Sequence, residues 1–212
     1  MAEFASNNAN VGAANTPERV AAARLRTTAE QQCAATRART DLSDLGKAAD
    51  IAATHLGVKA KLTDLAQSEQ DRRAADRNAA ETALFGLPRS PLSGADAVSQ
   101  RDAADRAAAL ATPDSAAALL DRAQRGNDQH LASAVAQRAA QDGWRGVLAQ
   151  YVGDNQGKQD ALDVISEHKA TVGTTADKLT RDMIFRGGTP PEVKGMSPQK
   201  VKALADQSGL IE

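Results

Sequence analysis

Large aromatic side chains are scarce in this chain of 212 residues, which has three Phe, one Tyr and one Trp. Alanine supplies 46 of the residues, and an alanine side chain buries little apolar area. Runs of Val, Ile and Thr, which are typical of strands, do not occur. These features exclude a thick apolar core and a sheet protein. They predict an all-α fold whose helices pack closely through alanine.

Cysteine, net charge and long apolar runs are also limited. Cys33 is the only cysteine, which excludes an internal disulfide and a multi-cysteine metal site. Lys and Arg number 26 against 27 Asp and Glu, so the chain lacks the basic excess of a phosphate-binding protein, and nucleic acid is not the expected partner. No stretch approaches the roughly 20 apolar residues that a membrane span needs, and residues 1–15 lack a signal-peptide pattern. We therefore expect a cytoplasmically made protein with no membrane partner.

Caps and helix breakers divide the chain into five predicted segments. Thr16-Pro17-Glu18, Thr112-Pro113-Asp114 and Ser197-Pro198 have the pattern of a helix N-terminus, and the breakers between Gly86 and Gly94 indicate a linker. The segments are a disordered or partner-ordered arm (1–15), a long helical hairpin or coiled-coil region (16–86), a linker (87–94), a helical bundle (95–186), and an extended strap with a short C-terminal helix (187–212).

A heptad repeat predicts a coiled-coil-like seam near the start of the second segment. Its first positions are Leu42, Ala49 and Leu56, and its second positions are Leu45 and Ala52. The apolar stripe resumes out of phase after Gly57, which indicates either a stutter or a break between two helices. This region is therefore interpreted either as an arm that binds a copy of itself or a partner, or as an exposed helix pair in a bundle.

The predicted helical bundle of residues 95–186 contains a short hairpin. Gly126 and Asp128 separate two apolar helices, so we expect the faces of Leu120 and Leu131 to meet, together with Leu119, Ala123, Val135 and Ala139. Trp144 and Tyr151 lie seven residues apart on one helix face. We interpret them as anchors of the core rather than as a binding surface.

The last apolar pattern predicts one long helix that continues through Gly173. The spacing of three, four and seven residues relates Leu162, Ile165, Val172, Leu179 and Met183. The helix is expected to end after Phe185. Pro190 and Pro191 cannot continue it, so we expect an extended strap that contacts a partner through these three residues.

No arrangement of residues predicts catalysis, a cofactor or a metal site. His55, His130 and His168 lie on three separate helical segments without metal-ligand spacing. Neither of the glycine-rich phosphate-binding patterns occurs. We therefore expect a non-enzymatic protein.

Two sequence patterns in the middle of the chain resemble those of known proteins. Residues 118–144 are similar in rhythm to half of a tetratricopeptide unit, but no second copy follows. The wider run from Leu84 to Glu192, with alanine-rich helices, Gly143-Trp144 and Pro190-Pro191-Glu192, resembles small helical virion and assembly proteins of actinobacterial phages and prophages.

The resemblance implies a structural role and transfers no functional residues. It implies a homo-oligomeric head, portal or connector protein that binds other virion proteins, first in the host cytoplasm and then in the virion. One alternative is a capsid scaffolding protein that docks through its C-terminal helix. Another is a regulatory or DNA-associated coiled-coil protein that uses the arginines of the first helix, Arg19, Arg24, Arg26, Arg37 and Arg39.

Overall fold

A computed structural model describes residues 16–86 and 94–208 and confirms the all-α prediction. This part of the chain forms nine α-helices and one turn of 3-10 helix at Pro191–Val193, with no strand. The predicted arm and nearly all of the predicted linker lie outside the described residues. The helices are α1 (Pro17–Ala38), α2 (Asp44–Phe85), α3 (Gly94–Ala108), α4 (Pro113–Arg125), α5 (Gln129–Asp142), α6 (Arg145–Val152), α7 (Gln156–Thr171), α8 (Thr175–Phe185) and α9 (Pro198–Ala205).

The helix starts that the sequence predicts are confirmed by side-chain caps. The hydroxyls of Thr16, Thr112 and Ser197 each accept a hydrogen bond from the amide three residues later. The Asp128 carboxylate accepts from the amide of Leu131 in the same way. These contacts satisfy amides that have no partner inside the helix, so the local sequence is enough to set the starts.

The second helix runs without a break through Gly57, which excludes one of the two alternatives predicted there, a break between two helices. A Cβ at this exposed glycine would have no neighbour within 4 Å, and one glycine costs a helix only about 1 kcal/mol. Of the predicted seam, Ala49 and Ala52 are buried, whereas Leu45 is 54% exposed and Leu42 precedes the helix.

The prediction of one helix through Gly173 is wrong. This glycine has φ +80°, which is outside helical geometry, and the Thr174 hydroxyl accepts from the amide of Asp177 to begin a new helix. The chain therefore leaves α7 at Thr171 and enters α8 at Thr175. As a result, Leu179 does not continue the apolar stripe of Leu162 and Ile165.

The chain divides into two compact units that differ from the predicted segments. Among the described residues, one unit comprises residues 74–86 and 94–171, and the other comprises residues 16–73 and 172–208. The boundary falls inside α2 because this helix contributes residues to both units. The last part of the predicted bundle, α8, belongs to the unit that contains α1.

The unit of residues 74–171 has a core made largely of alanine. Helices α3, α4, α5 and α6 pack together, and the predicted hairpin faces meet: Leu120 and Val135 are fully buried in the same cluster as Leu131. The other large buried members are Val147 and Leu148. A second cluster places Ile165 of α7 against the last residues of α2.

The other unit has two small apolar clusters. In one, Ala22 of α1, Leu62 of α2 and Phe185 of α8 are buried together. In the other, Val193 and Val201 pack against Ala52 of α2. Each cluster has three buried members, and Ala49 and Ile51 of α2 are buried as well. Polar contacts also take part in positioning the helices of this unit.

Candidate protein–protein interface

A buried carboxylate lies at the centre of the unit that contains α1, α8 and α9. The Glu69 side chain of α2 is fully buried, and its oxygens accept hydrogen bonds from three helix segments. Nε of Arg19 lies 2.6 Å from Oε1, and Nε of Arg181 lies 3.0 Å from Oε2. The Thr16 hydroxyl donates to Oε1 at 3.0 Å, and Nη2 of Arg73 approaches it to 3.4 Å.

A second carboxylate, Asp177 at the start of α8, completes the group. Its Oδ1 lies 3.0 Å from Nη1 of Arg73 and 3.7 Å from Nη2 of Arg19. Burial alone would raise the pKa of Asp177, but hydrogen bonds from Arg73 and the Gly173 amide, with the charges of Arg73 and Arg181, lower it below its ordinary value. We call this set the Glu69 cluster; its members are Thr16, Arg19, Glu69, Arg73, Asp177 and Arg181.

The Glu69 cluster determines which side of α8 faces outward. Asp177 and Arg181 point toward α1 and α2, and Phe185, one turn later, is buried beside Leu62. Leu179 and Met183 lie on the opposite side of the helix, where they are 61% and 76% exposed. Together with the exposed Ala176 they form an apolar stripe, which we call the outer face of α8.

The predicted strap contacts this chain itself. The Glu192 carboxylate accepts from Nε and Nη2 of Arg37 at 2.6 and 2.9 Å, and the hydrogen bond from Arg37 lowers the pKa of Glu192. Val193 is buried, Pro190 is half-buried, and Pro191, predicted to be extended, begins the 3-10 turn.

Phe185 belongs to the core of this chain, which corrects its expected role as a partner contact. It is 8% exposed and packs with Ala22 and Leu62. The chain turns away from α8 at Gly187, where φ is +71° and a Cβ would lie 2.9 Å from Leu62. This close approach, which only glycine permits, brings the strap back onto α2.

In the other unit, the predicted anchor Tyr151 holds the end of α2. Its hydroxyl donates to the carbonyl of Leu84 at 3.0 Å, and the Ser133 hydroxyl donates to that of Phe85 at 2.6 Å. The rings of Tyr151 and Phe85 are stacked with centroids 6.4 Å apart, and Lys158 Nζ lies 3.8 Å from the Tyr151 centroid. The Lys158 ammonium is attracted by the face of the Tyr151 ring at this distance.

A shallow cleft of about 440 Å³ lies beside this helix end. Its lining includes Gln124, Asn127 and Gln129, together with Ser133 and Asp128. The side chains of Ser133 and Asp128 already make hydrogen bonds that cap helices. Trp144, the second predicted anchor, is half-buried, with the Arg138 guanidinium 5.9 Å from its ring centroid.

The structure assigns the other sequence-predicted residues to cores or surfaces. Leu120 and Leu131 are buried, Leu42, Leu56 and Ile165 are half-buried, and Leu45 is exposed. The three histidines lie on α2, α5 and α7. Sequence reasoning missed the Glu69 cluster; its only signal was a glutamate within a charged stretch of α2, which looks the same as an exposed one.

Residues 16–86 and 94–208 contain neither a group of metal ligands nor a helix suited to span a membrane. No group of three or more His, Cys, Asp or Glu side chains there is arranged to hold an ion. Among those same residues, no helix combines the length and the apolar character that crossing a bilayer requires. Comparisons with protein-family models, with curated proteins and with solved structures found no match.

Proposed function

We propose that this chain is a non-enzymatic structural protein of a phage virion or of its assembly, associated with the head, the portal or the head-to-tail connector. It is an oligomer and binds other virion proteins through helix surfaces, chiefly the outer face of α8. The partner element that fits this face is an amphipathic helix from another subunit, which buries its own apolar side chains against Leu179 and Met183.

The observation that carries the proposal is the exposure of Leu179 and Met183, at 61% and 76%. A chain with few large apolar side chains places two of them one turn apart on a surface, while alanines fill its core. Apolar side chains that are contiguous on a surface favour a partner that removes them from water. The phage setting is supported by the resemblance of residues 84–192 described above.

Three of the five arginines that the DNA-associated alternative uses are paired with carboxylates, which weighs against it. Arg19 is buried against Glu69, Arg37 pairs with Glu192, and Arg39 lies 2.5 Å from Asp41. A guanidinium that is already paired with a carboxylate gains less from a phosphate. Binding to duplex DNA that weakens steeply with added salt would favour this alternative.

The position of α9 weighs against the scaffolding alternative, which uses a C-terminal helix to dock on a capsid protein. Val201 of α9 is buried against Val193 and Ala52 of the same chain, with Leu204 and Ala205 packed beside them. A helix that docks on a partner would need this face. Finding the chain in immature particles but not in mature ones would support scaffolding over a virion role.

Two measurements test the proposal. First, particles purified from the source strain on a density gradient are analysed by mass spectrometry, and we expect the chain in mature particles at a fixed ratio to the capsid protein. Its absence from both mature and immature particles would overturn the proposal.

The second measurement compares variants of α8 by native mass and by co-purification with virion proteins. Leu179→Glu with Met183→Glu should lower the oligomeric mass or release the partner while the helix content stays unchanged. The matched control is Thr180→Glu, an exposed position of the same helix outside the apolar stripe. Equal binding by all three proteins would reject the outer face of α8 as the interface.

A further inference from the structure

The apolar contacts of α1 with α2 are poorly suited to fix how these two helices align. Of the three buried members of their shared cluster, α1 supplies only Ala22, and Leu25 of α1 is partly buried beside it. Alanine leaves shallow ridges on a helix surface, so sliding α1 along α2 loses little interdigitation. Apolar burial alone therefore allows several alignments of α1 with similar free energy.

The sequence of α1 offers one alternative alignment, although it would replace the partly buried Leu25 by Gln32. Ala29 follows Ala22 by seven residues, and Arg26 follows Arg19 by the same interval. Seven residues are nearly two helical turns, so each pair lies on one face. A slide of about 10 Å would thus present α2 with another alanine and another arginine.

The Glu69 cluster distinguishes the observed alignment from this alternative. A seven-residue slide would replace Thr16 by Ala23, which has no hydroxyl to donate to Glu69. For α8, a slide of one turn, about 5.4 Å, would remove Arg181 from a carboxylate oxygen that it contacts at 3.0 Å. Each shift removes hydrogen-bond donors from the fully buried carboxylate of Glu69. A buried charge that lacks such partners is strongly unfavourable.

We propose that the Glu69 cluster is a register device: it selects one alignment of α1 and α8 on α2 and adds little or nothing to the net stability of the fold. Desolvation of the charged groups offsets their attraction, so an apolar set of similar size stabilises the helices equally well but accepts several alignments. The inference concerns the internal packing of this unit and stands independently of the proposed function.

The test is a triple variant, Arg19→Leu with Glu69→Leu and Arg181→Leu. It removes the central carboxylate together with two of its guanidinium partners, and it leaves Asp177 paired with Arg73 at 3.0 Å. The matched control is Arg39→Leu with Asp41→Leu, which removes an exposed ion pair of the same unit.

Alignment is read by electron–electron spin distances in the full chain with Cys33→Ala. Nitroxides at Arg24→Cys and Thr63→Cys report α1 against α2, and nitroxides at Thr63→Cys and Thr180→Cys report α8 against α2. All three positions are exposed. Urea unfolding of the unlabelled proteins, followed by circular dichroism, gives the stability.

For the triple variant we expect a urea midpoint at or above that of the parent, with at least one distance distribution split or at least twofold wider. The control should keep the parent's narrow distributions. Either of two results overturns the inference: narrow parental distributions in the triple variant, or a triple variant that unfolds at lower urea or does not fold.

Discussion

Nε of Arg19 lies 2.6 Å from Oε1 of Glu69, and both side chains are buried, at 4% and 0% exposure. The two residues are 50 positions apart in sequence and belong to different helices. Removing one partner of such a pair leaves the other charged and desolvated, which costs far more than the pair itself contributes.

Glu69→Leu alone should therefore destabilise the protein by about 3–5 kcal/mol, because three guanidinium groups lose their shared carboxylate. Urea unfolding measures the change. The comparison is Glu81→Leu, which removes a carboxylate of α2 that pairs with Arg77 at an exposed position, where we expect less than about 0.5 kcal/mol. Similar losses for the two variants would contradict the burial of Glu69.

Leu120→Asp should unfold the hairpin of α4 and α5. Leu120 is fully buried among Val135 and Leu131, so the substitution removes apolar burial and places an unpaired charge in an alanine-rich core. We expect a loss of at least about 4 kcal/mol. Asp163→Asn, at an exposed position of α7, should leave the unfolding midpoint unchanged. A fully folded Leu120→Asp protein would refute the assigned face.

Alanine substitutions at two glycines should change the stability of the protein in opposite directions. Gly57 lies inside α2 with open space around it, so Gly57→Ala should stabilise the protein by about 0.5–1 kcal/mol. Gly173 has φ +80°, and Gly173→Ala should cost about 1–2 kcal/mol although no atom blocks the new methyl group. Thermal unfolding of both variants measures the difference, and a stabilising Gly173→Ala would contradict the break between α7 and α8.

Acid should destabilise the fold through its paired carboxylates. Hydrogen bonds from Arg72 and Arg37 hold the pKa values of Glu18 and Glu192 below their ordinary values, and the pKa of Asp177 is also lowered. A carboxylate with a lowered folded-state pKa contributes stability above its unfolded pKa and loses it as the pH falls. We therefore expect urea midpoints to decrease below about pH 4.5.

His55 should add a separate loss of stability at milder acidity. Burial lowers its pKa, with a smaller contribution from Lys59, so folding favours the neutral ring. Its contribution is complete above an unfolded pKa of about 6.5 and is lost as the pH falls through the folded value. His55→Gln should make the urea midpoint nearly independent of pH between about pH 7.5 and 5.5. The decrease of the midpoint below about pH 4.5 should remain. An unchanged slope in that range would contradict the assignment.

The sequence predictions were accurate where the deciding contact joins residues that are close in the sequence. The starts of α1, α4 and α9 were predicted because a cap is a contact between residues three positions apart, as between Thr16 and the amide of Arg19. The prediction failed at Gly173, where apolar spacing favoured continuation. There, a positive φ and the Thr174 cap together outweighed the pattern.

The sequence by itself determined that the described part of the chain is helical and where α1, α4 and α9 begin, because alanine content, caps and breakers act within a few residues. Only the tertiary structure decided that Glu69 is buried among arginines, one of which, Arg181, is 112 residues away, and that Leu179 faces outward. A charged residue on a helix has the same local pattern in water as in a core. Which of the two it occupies depends on helices that are distant in the sequence.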